Sequence, residues 1–236
     1  MLNSMCGDKG CVSYLAARLY MTKLCDDEAF YDRWYAVMDQ KRQSRCDRLR
    51  NVPDRRRCIM AYALLSHAMA DIGVNDLPKI SEDTNGKPYF ADSDIFFNIS
   101  HAGERVIVAI SDAAVGCDVE CRSGNAAKIV KRFFTKEEND LLSSIDDEKA
   151  AGHMFTRLWT LKESVVKCCG DGIRRSFGDF SLVDKNGDMV RTVTLPDIDE
   201  EYHIKEYESE NGYCYSICCV SDKIEDVMRS VSWEKI

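Results

Sequence analysis

IFFNISHAGERVIVAISDAAVGCDVE, residues 95–120, decides the fold class. Three runs rich in β-branched and aromatic residues, IFFNIS, RVIVAI and AVGCDVE, stand between short polar connectors, which predicts three consecutive strands. The connector His101-Ala102-Gly103-Glu104 is short enough for a tight hairpin loop. In the third run Asp118 and Glu120 lie two residues apart and share one face of the strand. Val115, Cys117 and Val119 share the other face and point into a core. Two carboxylates held together repel unless a cation lies between them; the alternative is an exposed strand end with two solvated acids.

Upstream, residues 11–20 predict a first strand. Residues 26–39 carry a helical pattern with Phe30, Trp34 and Val37 as core positions. Residues 41–57 are dense in cations, among them Lys41, Arg42, Arg45, Arg48, Arg55, Arg56 and Arg57. CIMAYALLSHAMA, residues 58–70, predicts a buried helix that Gly73 ends. In SEDTNGKPYF, Asn85-Gly86 marks a turn and Pro88 cannot continue a helix.

Downstream, residues 125–134, 136–144 and 149–169 predict helices, with Thr135 as N-cap and Glu138 at the matching capping-box position. DFSLVD, MVRTVTL, EYHIKEYE and YCYSICCV then predict strands, with hairpin turns at Asn186-Gly187 and Asn211-Gly212. Strand, helices, strands, then helices and strands again describe an α+β protein of two similar-sized lobes that join near residues 112–116.

The longest helix carries the second group of interest. Phe155, Trp159, Glu163 and Lys167 fall four apart and form one stripe. A glutamate in line with two aromatic rings is partly desolvated and calls for a metal or a lysine; the alternative is an ordinary Glu163–Lys167 pair within the helix. Carboxylates from a strand and a helix suit a hard cation such as Mg²⁺, which keeps waters and takes phosphate oxygens. Neither a Walker A loop nor a G-x-G-x-x-G fingerprint occurs. Side chains would therefore hold any phosphate: Lys87 in the Gly86-Lys87-Pro88 turn, His101 after Ser100, and Lys41 with Arg45 one helical turn apart. Each has a plainer alternative, as a solvated turn residue, a loop histidine bonded to backbone or a solvated helix face.

Composition narrows the classes. The chain has 236 residues, 45% apolar, enough for one large domain or two smaller ones. A net charge of −8 repels nucleic acid and anionic membrane, so an anionic ligand needs a local basic cluster. No apolar run reaches the roughly 20 residues of a membrane helix, and the first residues lack a secretory leader pattern, so a cytoplasmic protein is expected. The twelve cysteines show no paired C-x2-C spacing and are expected to be reduced, mostly buried thiols.

NGKPYF, FFNISHAGERVIVAI, VGCDVE, KRFFTKEE and LWTLKESVVKCCGDGI together resemble the 4′-phosphopantetheinyl transferases, in their large monomeric type that activates peptide-synthetase and other carrier domains. The linked pair G-x-D-x-E and W-x-x-K-E-x-x-x-K is the specific part of the likeness, which runs from about residue 41 to 175 and extends to the last strands. The resemblance implies two pseudo-symmetric α/β lobes, 1–113 and 114–236, with coenzyme A and a metal in the cleft between them, in a monomer with an internal pseudo-twofold. It implies Mg²⁺, with Mn²⁺ as the alternative, on Asp118, Glu120 and Glu163, and Lys167 on phosphate oxygens. Ser100 and His101 would lie near the ribose and 3′-phosphate, Lys87 near the pyrophosphate, and Lys41 on the 3′-phosphate. Arg45 stands near the position of a usual lysine, which is Ser44 here, and the adenine end falls at Arg57 and Cys58, with Cys58 in place of a threonine.

The reaction so implied is attack of a serine of an apo acyl or peptidyl carrier protein on coenzyme A, with release of 3′,5′-ADP. Glu163 is the first choice of base, ahead of Glu138 and Lys162. The rival readings are a Mg²⁺-dependent phosphoester hydrolase on the same carboxylates, and a silent relative that binds coenzyme A or carrier without transfer.

Overall fold

The protein is described here by a computed structural model covering residues 15–121 and 133–236. Residues 11–14 of the expected first strand and 125–132 of an expected helix lie outside the described residues.

One connectivity occurs twice. In the first half β1 (Arg18–Lys23) leads into α1 (Glu28–Val37), α2 (Gln40–Asp47) and α3 (Val52–Asp71). A small hairpin, β2 (Ile80–Glu82) and β3 (Pro88–Phe90), precedes the larger one, β4 (Phe96–Ala102) and β5 (Arg105–Ser111). β5 inserts antiparallel between β4 and β1. In the second half β6 (Val115–Cys121) leads into α4 (Lys136–Ser143) and α5 (Glu148–Cys169), then β7 (Thr192–Thr194) and the hairpin β8 (Glu201–Glu210) and β9 (Tyr213–Cys219). β9 inserts antiparallel between β8 and β6. The α+β expectation of two lobes holds. The chain then crosses back, because β10 (Arg229–Ser230) pairs in parallel with β1.

Side-chain alternation distributes three cores over this frame. Val106, Val108 and Ile110 of β5 join Ile59, Leu64 and Leu65 of α3 in the first core. Ile107 and Ala109, on the opposite face, join Leu19 and Met21 against Val115, Cys117, Val119 and Ile217 of the other sheet. β5 is therefore buried on both faces, which explains the unbroken apolar run RVIVAI. A third core sets Leu158, Leu161 and Val165 of α5 on Ile204 and Cys218.

Several expectations are corrected. Val37 is 59% exposed, and Tyr31 takes the core place on α1 beside Phe30. His101 belongs to β4, not to a loop, because the hairpin turns within Gly103 and Glu104. DFSLVD keeps only Asp179, at the end of a 3-10 turn over Phe177–Asp179, and a single bridge, Val183 to Met189, and MVRTVTL keeps only Thr192–Thr194 as strand. The last residues do not stay with the second lobe: Val231, Trp233 and Ile236 pack on the first core. Among the described residues no helix is long and apolar enough to cross a membrane.

Candidate active site

The site forms where β4, β6 and α5 meet. β6 can lie against α5 because residue 116 is glycine: a Cβ there would run into Ser164 O and Cys168 N and stand 2.9 Å from Cys168 Cα. On the other side Asn98 and Ser100, two apart on β4, reach across to β6. Asn98 Oδ1 accepts from the Cys117 backbone N–H at 2.9 Å, and Ser100 Oγ donates to Asp118 Oδ1 at 2.8 Å. These contacts, with the intervening core, bring the edge of the first sheet to the second.

Asp118 is 3% exposed and its two oxygens differ. Oδ1 also accepts from Lys167 Nζ at 2.5 Å, while Oδ2 is buried with no hydrogen-bond partner. Lys167 Nζ further contacts Ser100 Oγ at 3.1 Å. Burial pushes the Asp118 carboxyl above its ordinary pKa, against the pull of Lys167. Burial also works against the Lys167 charge, and Asp118 more than restores it, so the ammonium ends above its ordinary value. Glu120 is pushed up to about 7 by burial, then by Asp118 and Glu163. Glu163 is raised by burial and then by Asp118. Asp118 thus adds to the cost of ionising both Glu120 and Glu163, and Glu163 to that of Glu120.

That donor set fits a hard divalent cation. A bare buried carboxylate oxygen and two carboxyls held up by burial and then by their acidic neighbours are what such an ion would satisfy. Among the described residues no three His, Cys, Asp or Glu side chains are preassembled as a metal cage.

The remaining candidates line up outward from this centre. Lys87 Nζ donates to Lys167 O at 2.5 Å and Cys168 O at 3.2 Å, and Asn85 Nδ2 donates to Gly170 O at 3.0 Å. The G-K-P turn therefore caps the last carbonyls of α5, which have no partners within the helix, just where Gly170 adopts φ 81°. His101 is held below its ordinary pKa by desolvation of its ring, then by the Arg57 and Lys167 cations. Arg57 donates to Gly103 O at 2.9 Å and pairs with Asp54. Lys41 and Arg45 of α2 both clasp Glu82 of β2, at 3.1 and 3.2 Å. Asp118, Glu120, Glu163, Lys167 and Ser100 are thus brought together, and His101 senses both this group and Arg57. Among the described residues the ion pairs of Lys41 and Arg45 go to Glu82 and those of Asp118 to Lys167.

Glu138 and Lys162 are excluded as bases. They pair at 2.9 Å with both side chains 0% exposed. Lys162 also donates to Phe177 O and Phe180 O at 2.6 Å, and Glu138 accepts from the N–H groups of Leu182 and Thr135. Sealed from solvent and committed to buried partners, neither group can reach a substrate. Sequence reasoning missed Asn98 and the packing role of Gly116. The glycine in G-x-D-x-E was the available signal for the second, and nothing local marked the first.

The chain matches the 4′-phosphopantetheinyl transferase superfamily model over residues 114–218. It is 29% identical to 4′-phosphopantetheinyl transferase Sfp of Bacillus subtilis, covering 92% of this chain and 97% of that protein. It is 30% identical to psf-1 of Bacillus pumilus over 75% of this chain and 77% of the other, and 32% identical to gsp of Aneurinibacillus migulanus over 80% and 79%; both carry the same transferase name. The chain belongs to the 4′-phosphopantetheinyl transferases. It is an enzyme of that class, which moves phosphopantetheine from coenzyme A to carrier proteins. For a phosphopantetheinyl transferase the span of the superfamily match is informative, since it runs from β6 through β9 and includes Asp118, Glu120, Glu163 and Lys167.

Proposed function

We propose that this transferase moves the 4′-phosphopantetheine arm of coenzyme A onto a serine of an apo acyl or peptidyl carrier protein, releases 3′,5′-ADP, and depends on Mg²⁺, with Mn²⁺ as the alternative. Asp118 carries this reading: one oxygen is committed to Lys167 and Ser100, and the other is buried and bare beside two acids with raised pKa values. Asp118, Glu120 and Glu163 would hold the ion. Bound there, it supplies positive charge to the pyrophosphate and the leaving oxygen.

The chain's own groups do the rest. Lys167 Nζ, already at Asp118 and Ser100, donates to phosphate oxygens and adds charge as the bond to the leaving phosphate breaks. Ser100 and His101 bind at the ribose and 3′-phosphate. Lys41 and Arg45 receive the 3′-phosphate, Arg57 lies at the adenine end, and the pairs of Lys41 and Arg45 with Glu82 yield at little cost because they are solvent-exposed. Lys87 serves the pyrophosphate side from its place at the end of α5. Glu163 accepts the serine proton at its carboxylate. The reading includes a cytoplasmic monomer with two lobes, 1–113 and 114–236, related by a pseudo-twofold, the last residues docking on the first lobe.

Intact-mass measurement of an apo carrier protein incubated with this protein, coenzyme A and Mg²⁺ tests the proposal. A gain of one phosphopantetheine arm that EDTA abolishes supports it. No gain on carriers of the fatty-acid, polyketide and peptide-synthetase kinds, from folded protein, overturns it.

A further inference from the structure

We propose that Cys46 and Cys58 form a dithiol site that closes to an intramolecular disulfide on reaction with a low-molecular-weight disulfide. The two residues belong to α2 and α3, neighbouring helices joined by residues 48–51, and their sulfurs meet at 2.7 Å with Cys46 Sγ donating to Cys58 Sγ. Little movement separates this contact from a bond of about 2.0 Å.

The two thiols are unequal in the way such chemistry needs. Cys46 is 0% exposed, whereas Cys58 is partly open to solvent. The hydrogen bond from Cys46, followed by the Arg45 and Arg42 cations, holds the Cys58 thiol down at about 7. The Cys46 thiol is pushed up by its hydrogen bond to Cys58 and by burial. Cys58 is therefore the thiolate that attacks from solvent, and Cys46 is the resolving thiol beneath it.

The steps balance. The Cys58 thiolate attacks one sulfur of the small disulfide, whose S–S bond breaks and releases a first small thiolate. Cys46 then loses its proton and attacks Cys58 Sγ, and the mixed disulfide breaks to release a second small thiolate. The protons of Cys46 and Cys58 end on the two small thiols, and the small disulfide is the species reduced. Closure covalently fixes α2, with Lys41 and Arg45, against α3, with Arg57. The other close thiols differ: Cys168 and Cys218 are both buried, and burial first, then Cys168, pushes the Cys218 thiol well up.

The test treats the reduced full-length protein with oxidised glutathione at neutral pH, caps remaining thiols, and reads intact mass and a peptide map. The expected result is loss of two hydrogens, a Cys46–Cys58 linked peptide pair and no retained glutathione. Folded Cys46→Ser should stop as a glutathione adduct on Cys58, and Cys58→Ser should give neither product at this site. Unchanged wild-type mass, glutathione retained on Cys58 without closure, or a bridge mapping elsewhere overturns the proposal. The wild-type map needs no variant to fold, and its result is independent of whether phosphopantetheine transfer occurs.

Discussion

Asp118 Oδ1 holds Lys167 and Ser100 together, and its other oxygen waits buried without a donor. Asp118→Asn keeps the shape, removes the charge and leaves Lys167 without its counterion. Carrier modification should fall by about 10²–10³-fold or more, and raising Mg²⁺ should not restore it. Activity equal to wild type in the mass assay would sink the metal assignment. His101 feels the charges of both Arg57 and Lys167. His101→Ala should raise the KM for coenzyme A by about 10- to 100-fold, the worth of one hydrogen bond to a charged group, with kcat little changed. A steady-state titration separates the two constants, and a fall confined to kcat would place His101 at the reacting phosphate instead. At this scale the acids and Lys167 were legible because period-two and period-four spacing fix which side chains share a face. Lys87 was legible only as a cation, since the α5 carbonyls it caps lie 80 residues away.

Two contacts between elements position these groups. The first is the seat of β6 on α5 at Gly116. Gly116→Ala puts a methyl into the α5 backbone and should cost about 1–3 kcal/mol or more, read as a lower denaturant midpoint, with activity falling alongside because Asp118 shifts against Lys167. An unchanged midpoint would mean that the helix can retreat freely. The second is the Glu138–Lys162 pair, which ties α4 and the 177–182 segment to the helix that bears Glu163. Lys162→Met leaves Glu138 charged and buried, at a cost of about 3–5 kcal/mol; adding Glu138→Leu should recover much of it. Chemical denaturation of both variants measures this, and a double variant no more stable than the single one would deny that the loss lies in the stranded carboxylate. The capping box at Thr135 and Glu138 was legible from sequence and is present. That the same carboxylate also meets Lys162 was not, because it depends on how α4 packs on α5.

Across the whole molecule, charge and pH connect the site to stability. Glu120 moves from an ordinary 4.5 to about 7 on folding without a metal. The folded protein therefore binds more protons than the unfolded chain between these values, and stability falls as pH rises through that window. A divalent cation needs the ionised carboxylates and works the opposite way. In EDTA, Tm should fall with pH more steeply for wild type than for Glu120→Gln, and Mg²⁺ should remove that difference; equal slopes under all conditions would contradict the linkage. The two-lobed α+β plan was visible in the order of strand and helix signals. The return of β10 to β1 was not, because a two-residue parallel pairing leaves no periodicity to read.

By itself the sequence determined the local patterns: three strands over 95–120, a capped helix at 136, a stripe of Glu163 and Lys167, and the family motifs that name the chemistry. These depend on backbone periods and turn chemistry that act within a few residues. Only the tertiary structure decided that Ser100 and Lys167 share one oxygen of Asp118, that Lys87 caps α5, and that Glu138 with Lys162 is a sealed pair. Those facts join residues 18 to 80 positions apart, and burial and electrostatics at such separations exist only once the sheets and helices have packed.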